Sequence, residues 1–185
     1  MATKIQFRRG LKANLPVLSS GEPALTTDTL EVYVGTPSGN LLIKPSLNTI
    51  SAFRAYQTDV QIIPAGVLTK ILFNTIEYDN RGEFNVTSSK FEPVEAGMYY
   101  IQATVTWPLG QPDGNRTVLS IYVNGVEHTR LAASVTGGAK STVSAGGTIL
   151  RLNQSDDVEV YAMTENETTL QSGNGLTYFS AVKIG

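Results

Sequence analysis

Between Tyr99 and Trp107 apolar and polar side chains alternate strictly. Tyr99, Ile101, Ala103, Val105 and Trp107 share one face, and Tyr100, Gln102, Thr104 and Thr106 the other. A period of two is the signature of a half-buried strand, not of a helix. Pro108 ends the run, and "LGQPDGN" (109–115) holds two turn formers in succession. Leu119, Ile121 and Val123 then lead into Asn124-Gly125, the pair that most favours a type I′ turn, so residues 116–130 predict a hairpin. Its return strand is expected over Val126 to Val135, with Leu131, Ala133 and Val135 on a shared face. "STVSAGGTILRL" (141–152) follows. Val158, Val160 and Ala162 then alternate with Glu159, Tyr161 and Met163, and "LTYFSAVKI" (176–184) makes a last strand. The segments "NQSDD" (153–157) and "NETTLQSGNG" (166–175) supply the turns. No 3.6-residue pattern persists, so the chain predicts an all-β sandwich.

Composition narrows the partners. The 185 residues carry a net charge of −2, with only 16% charged side chains. Long-range attraction to nucleic acid or to an acidic membrane is therefore weak. There is no cysteine, which removes disulfides and thiolate metal sites and leaves the redox compartment open. No apolar run approaches the roughly 18 residues of a membrane helix, so no membrane insertion is expected. The opening "MATKIQFRRG" has charges but no following apolar segment, unlike a secretory signal.

Residues 1–45 read differently from residues 46–185. Ile5 to Gly10 is a short strand, with Ile5 and Phe7 on one side. "LKANLPVLSSGEP" (11–23) suits a loop or one helical turn. Two extended pieces flank the Thr27-Asp28-Thr29 turn, "TPSGN" (36–40) reverses the chain toward Leu41, Leu42 and Ile43, and Pro45 closes the module. Thin hairpins cannot enclose both of their own faces. This front end needs nearly all its apolar side chains covered, and oligomerisation is a usual remedy for so small a unit. A second hint of assembly comes from strands that are apolar on both sides: Val118 and Tyr122 oppose Leu119 and Ile121, and Phe179 and Ala181 oppose Tyr178 and Val182.

Several segments, in order, resemble a known family. "AFRAYQT" (52–58) opens the match. In "ILFNTIEYDNRGEFN" (71–85), Phe73, Asn74, Tyr78, Gly82 and Phe84 fit the pattern. In "SSKFEPVEAGMYYIQATVTW" (88–107), Phe91, Pro93, Gly97, Tyr99 and Tyr100 do so, followed by "LSIYVNGV" (119–126) and "TYFSAVKI" (177–184). Together they resemble the globular head shared by complement q-subcomponent heads and tumour necrosis factor ligands. That likeness implies a ten-stranded jelly roll, a homotrimer with the last strand near the subunit contacts, and recognition without catalysis. The chain departs from the family in lacking a collagen-like tract before the head and in its "LTYFSA" closing strand. The front end, with "KIQFRRG" (4–10), "SGEPALTTDTLEVYVG" (20–35) and "NLLIK", resembles the amino-terminal module of bacteriophage tail fibres, tropism proteins and head fibres. There such a module trimerises or anchors to the virion.

Chemical sites are few. "GGAKST" (137–142) lacks a phosphate loop's glycines, with Ala139 and Ser134 in their places, and no helix follows. His128 is the sole histidine, so neither a zinc site nor a Ser-His-Asp triad assembles around it, and it reads as a surface residue. Glu77 with Asp79, and Glu92 with Glu95, are the carboxylate pairs a glycan-cutting enzyme would need, but acids at strand ends ordinarily solubilise loops. Asp156, Asp157 and Glu159 offer hard oxygen ligands without the spacing of a calcium loop. Arg8, Arg9 and Lys12 form the only basic cluster, too narrow for nucleic acid and suited to pairing with Glu22. Tyr56, Tyr78, Trp107, Tyr122, Tyr161 and Tyr178 are the aromatic candidates for recognition, and loops 108–115, 136–141 and 163–175 the candidate binding surface. Sequons stand at Asn85, Asn115 and Asn166.

The expectation is an all-β chain. A β-hairpin arm (1–45) anchors to capsid or tail proteins, or trimerises, through Phe7, Arg8, Arg9, Glu22, Asp28 and Tyr33. A jelly-roll head (46–185) makes trimer contacts through Tyr99, Tyr122, Tyr178 and Phe179. Asp113, Asn115, Lys140, Asn166 and Asn174 face a host surface glycan or cell-wall polymer. No catalytic residue, cofactor or metal is expected. The functional expectation is a homotrimeric virion fibre or decoration protein that attaches to the host cell. The alternatives are a purely structural virion component and a glycan-degrading fibre enzyme.

Overall fold

The structure, a computed structural model, describes residues 7–43, 50–136 and 140–185. The chain divides into two units, Met1–Asn48 and Thr49–Gly185. Ile5 and Pro45, and the Gly137–Ala139 part of the Gly-rich loop, lie outside the described residues.

In the first unit, strands β1 (Arg8–Gly10), β2 (Pro23–Thr26), β3 (Val32–Thr36) and β4 (Gly39–Ile43) form one sheet in that order. β1 runs parallel to β2 and the other pairs are antiparallel, so the arm is a mixed four-stranded sheet where the sequence suggested hairpins alone. A parallel pair needs a crossover of about a dozen residues. Residues 11–22 supply it, passing through a 3₁₀ turn at Lys12–Asn14. That crossover covers one face of the sheet, where Leu18, Ala24 and Tyr33 are buried and Leu15 and Leu42 pack against them. Asn40 pins it: its Oδ1 accepts from Leu18 N at 2.8 Å and its Nδ2 donates to Pro16 O at 2.8 Å. Gly35 is obligatory under the crossover, since a Cβ there would sit 2.0 Å from the Ser19 carbonyl oxygen.

The second unit holds β5 (Ala52–Tyr56), β6 (Ile62–Ile63), β7 (Thr69–Lys70), β8 (Thr75–Asp79), β9 (Phe84–Asn85), β10 (Lys90–Phe91) and β11 (Gly97–Trp107). They are followed by β12 (Asn115–Val123), β13 (Val126–Thr136), β14 (Thr142–Leu152), β15 (Val158–Thr164), β16 (Thr168–Thr169) and β17 (Tyr178–Lys183). One sheet has the order β14-β11-β17-β5-β8, the other β13-β12-β15-β10-β9 with β7 also on β15; β6 and β16 pair separately. Strands distant in sequence lie side by side in both sheets, the layered antiparallel arrangement of a jelly roll. The inward face of β11 is the one its alternation predicts: Tyr99, Ile101, Ala103, Val105 and Trp107 are all fully buried. They meet Leu119, Ile121, Val158, Val160 and Ala162 from the second sheet. Toward one end the core is aromatic, with Phe53 stacked on Phe84 (4.9 Å) and Phe91 (4.8 Å) and edge-on to Phe179 (5.0 Å).

Asn124 and Gly125 take positive φ values of 53° and 76°, as a type I′ turn requires. The Asn124 side chain ties this turn to the next loop. Its Nδ2 donates to Asp156 Oδ1 and its Oδ1 accepts from Asp157 N, both at 2.9 Å. The shared face expected for Leu131, Ala133 and Val135 does not form. Register shifts between Leu119 and Ser120 and between Ile121 and Tyr122 break the phase. Leu131 consequently packs against the core while Val135 stays exposed.

Candidate functional site

The arm has an uncovered face. Across the sheet, Pro23 pairs with Val34 and Val34 with Leu41; Arg9 pairs with Leu25, Leu25 with Val32 and Val32 with Ile43. All these side chains share the face opposite the crossover. Phe7, two residues before Arg9 and of the same parity, is 42% exposed, Leu41 55% and Ile43 44%. Arg9 is the one charge in the set. The other expected anchor residues build the arm itself. Arg8 pairs with Glu22 at 3.0 Å, and Asp28 Oδ1 accepts from Lys12 N at 2.9 Å. Tyr33 is buried in the arm's own interior, which removes it from any outer contact. Its hydroxyl donates to Glu31, which pairs with Lys12 at 2.9 Å. The Lys12 ammonium holds the Glu31 carboxyl below its ordinary range.

The β14-β11-β17-β5-β8 sheet of the head presents its outer face. Ile149, Tyr100, Val182 and Ala52 line one cross-strand row, Gly147, Gln102, Ser180 and Arg54 the next, and Ala145, Thr104, Tyr178 and Tyr56 a third. The Tyr100 ring lies down across β14, because a Cβ on Gly147 would be 2.4 Å from its hydroxyl. Charge enters at the two edges, with exposed Arg151 opposite Met98 on the β14 side and Arg54 with Glu77 on the β8 side. Arg54 lies 4.0 Å over the Tyr178 ring, pairs with Glu77 at 3.2 Å and donates to the Asn174 carbonyl. Thr104 Oγ1 is buried with no hydrogen-bond partner among the described residues.

Two of the expected trimer contacts need correction. Tyr99 and Phe179 have no exposed surface, because they point into the sandwich, and neither can touch another subunit. Tyr178 is half-buried on that outer face and accepts from Gln102 at 3.3 Å. Tyr122 belongs to the other sheet, tilted by 33° against Tyr161 with centroids 4.1 Å apart, and burial pushes both phenols up. Trp107 is a core residue whose Nε1 donates to Ser144 Oγ at 2.9 Å, so it is no recognition surface either.

Loops 108–114 and 165–177 meet at the end of the sandwich opposite the Asn124 turn. Asp113, Lys140, Asn166 and Asn174 are exposed there. Asn115 is 2% exposed and cannot face a ligand. Instead it joins the loops. Its Nδ2 donates to Gln111 Oε1 (3.1 Å) and Thr164 Oγ1 (2.9 Å), and its Oδ1 accepts from Asn166 N (3.2 Å) and Nδ2 (3.0 Å). Gln111 Nε2 continues to Thr168 Oγ1 at 2.8 Å. Thr177 Oγ1 donates to Gln171 O, Gln171 N to Thr106 O, and Gly173 N to Gln57 O. The sequence carried a faint signal of this network in polar residues placed at inward strand positions, Thr117, Ser144 and Thr164.

The candidate acids are engaged except Glu92, which is exposed. Asp79 accepts from four consecutive backbone N–H groups, Arg81 to Phe84. Glu95 is bracketed by Arg81 and Lys183, each at 2.8 Å, which hold its carboxyl down at about 2. Asp157 pairs with Lys90 at 2.8 Å, and Lys70 pairs with the buried Glu159. His128 is exposed, beside the Thr129 hydroxyl. Among the described residues no three His, Asp or Glu side chains are grouped to hold a metal ion.

Residues 5–36 match the family model of the major tropism determinant N-terminal domain, and residues 52–181 that of the C1q domain. Curated proteins yield no match. Among solved structures, the globular domain of zebrafish complement 1qA protein is 16% identical, with a TM-score of 0.56 over 74% of this chain and 98% of that one. Eiger TNF from S. frugiperda is 12% identical, with a TM-score of 0.54 over 74% and 93%. Murine APRIL at pH 5.0 is 12% identical, with a TM-score of 0.55 over 73% and 99%. The chain is thus a member of the C1q domain family in which a jelly roll follows a tropism-determinant module, the architecture of a phage fibre protein.

Proposed function

We propose that the protein is a homotrimeric fibre or decoration protein of a bacteriophage virion. Its arm (1–45) assembles the trimer and joins it to capsid or tail proteins, and its head (46–185) attaches non-covalently to the host surface. The uncovered apolar face of the arm carries this reading. Six apolar side chains, Pro23, Leu25, Val32, Val34, Leu41 and Ile43, sit there around a single arginine, and the exposed Phe7 lies just ahead of β1. Contiguous exposed apolar surface of that kind marks an interaction site, and self-association is the simplest way to cover it. The outer face of the β14-β11-β17-β5-β8 sheet, with charge confined to its edges, and the unpartnered Thr104 hydroxyl suit a second subunit contact. Three weak host contacts per trimer, repeated over a particle, raise avidity without strong individual sites. No reaction is involved, since Asp79 is wrapped in backbone amides and Glu77 is paired with Arg54.

The test is the mass of the intact chain in dilute solution, expected at three copies. Leu41→Glu places a carboxylate in the covered face of each copy, at several kcal/mol per buried ion. It should shift the protein to monomers and abolish incorporation into particles. An intact chain that remains a cooperatively melting monomer overturns the assembly reading.

A further inference from the structure

We infer that the loop end of the head, residues 108–114 and 165–175, is the surface that takes the host ligand, that the ligand is an uncharged glycan, and that Asn115 is its positioning residue. The inference rests on the attachment reading above and names the site and its ligand class.

The first ground is rigidity. Loops of this length are ordinarily the mobile part of a β-sandwich. Here Gln57, Thr106, Gln111, Asn115, Thr117, Ser144, Thr164 and Thr177 are all buried at one end of the sandwich. The hydrogen bonds around Asn115 tie the two loops to each other and to β12 and β15. A buried polar network is a demanding way to fill a core, because each member left unpaired is costly. The opposite end is filled with phenylalanines and closed by ion pairs, so the fold itself does not require such a network. Its effect is to fix two loops before a ligand arrives, which reduces the ordering cost of binding.

The second ground is chemistry. The two loops contain Asp113, Glu165 and Glu167 and no lysine or arginine. The cations at the same end are Lys140, Arg116 and Arg54, the last paired with Glu77 and donating to the Asn174 carbonyl, so no excess of positive charge is present to select a polyanion. Their exposed or half-exposed groups are amides and hydroxyls, Asn166, Asn174, Gln171 and Ser172, beside the exposed Leu109 and Leu176. Donors and acceptors interspersed with small apolar patches match the hydroxyls and C–H faces of a neutral sugar. Without an aromatic platform each contact is weak, and the repetition of three heads supplies the avidity.

The experiment measures adsorption of the purified full-length protein to cells of the strain on which the particle propagates. Neutral and phosphate-bearing polysaccharide fractions of that envelope serve as competitors. The expected result is competition by the neutral fraction alone. The surface double variant Glu167→Ala with Asn174→Ala should lose at least about tenfold in adsorption with unchanged melting. Asn115→Ala should lose a similar factor while hydrogen exchange accelerates in 108–114 and 165–175. Leu152→Ala, a buried substitution at the other end of the sandwich, is the control for plain destabilisation and should adsorb normally. Competition by the phosphate-bearing fraction overturns the inference, as does adsorption indifferent to the surface double variant. Equal losses in Asn115→Ala and Leu152→Ala overturn the positioning role. A wild-type protein that does not adsorb at all overturns the attachment reading, and this inference with it.

Discussion

Replacing Gly35 by alanine is the most economical test of how the arm is built. The added Cβ would lie 2.0 Å from the Ser19 carbonyl oxygen and 2.7 Å from that of Leu18. Both are backbone atoms, so no side-chain rotation relieves the overlap and the crossover must lift away. Lifting it breaks Gly21 N to Gly35 O (2.8 Å) and Gly35 N to Glu22 O (3.0 Å). At about 1 kcal/mol each, these bonds contribute about 2 kcal/mol. It also withdraws Leu18, now 3% exposed, from Ala24 and Tyr33, at about 2 kcal/mol more. The sum, about 4 kcal/mol, is close to the whole stability of so small a unit. Hydrogen exchange read separately over residues 8–43 and 50–185 should show the arm unprotected and the head unchanged. Wild-type protection of residues 18–35 in Gly35→Ala would refute the account of the crossover as a lid held against β3.

Two further outcomes are expected. Phe53→Ala removes a fully buried ring that touches Phe84, Phe91 and Phe179, and should cost about 3–5 kcal/mol in urea unfolding of the head. Glu95, with a folded pKa near 2 against an ordinary 4.5, contributes stability that is present above pH 4.5 and is lost as the pH falls toward 2. Glu95→Gln should flatten the urea midpoint over that interval, and an unchanged slope would contradict the bracketing by Arg81 and Lys183.

Much of the head could be read directly from its residues. The inward face of β11, the Asn124-Gly125 reversal and the alternation of β15 follow from local periodicity, because each strand buries one face against the same core. What escaped depends on contacts distant in sequence. Tyr99 lies on the face that the alternation of β11 already marks as inner, so a trimer contact there ran against the local signal; Phe179 sits on a strand with apolar residues on both faces, where nothing local says which face is inner. Asn115 looks like a loop residue beside Pro112 and Gly114, yet Thr164 and Asn166, far along the chain, draw it inside. The phase of β13 was lost to bulges, which leave no mark in composition. The parallel strand of the arm was equally hidden, since a twelve-residue connection without secondary structure reads as a loop whichever way its ends pair. The lie of the Tyr100 ring depends on Gly147 lacking a Cβ, a fit between adjacent strands 47 positions apart in the chain.

The turn at Asn124 has a bearing on chemical ageing. An asparagine followed by glycine ordinarily loses ammonia when the next peptide nitrogen attacks its side-chain carbonyl, and Asn is among the residues that limit durability at high temperature. Here both ends of the Asn124 amide are tethered, one to Asp156 and the other to Asp157 N. The carbonyl carbon is thereby held away from the rotation that ring closure needs. The chain would keep this hairpin chemically intact through long storage for as long as the neighbouring aspartates hold it.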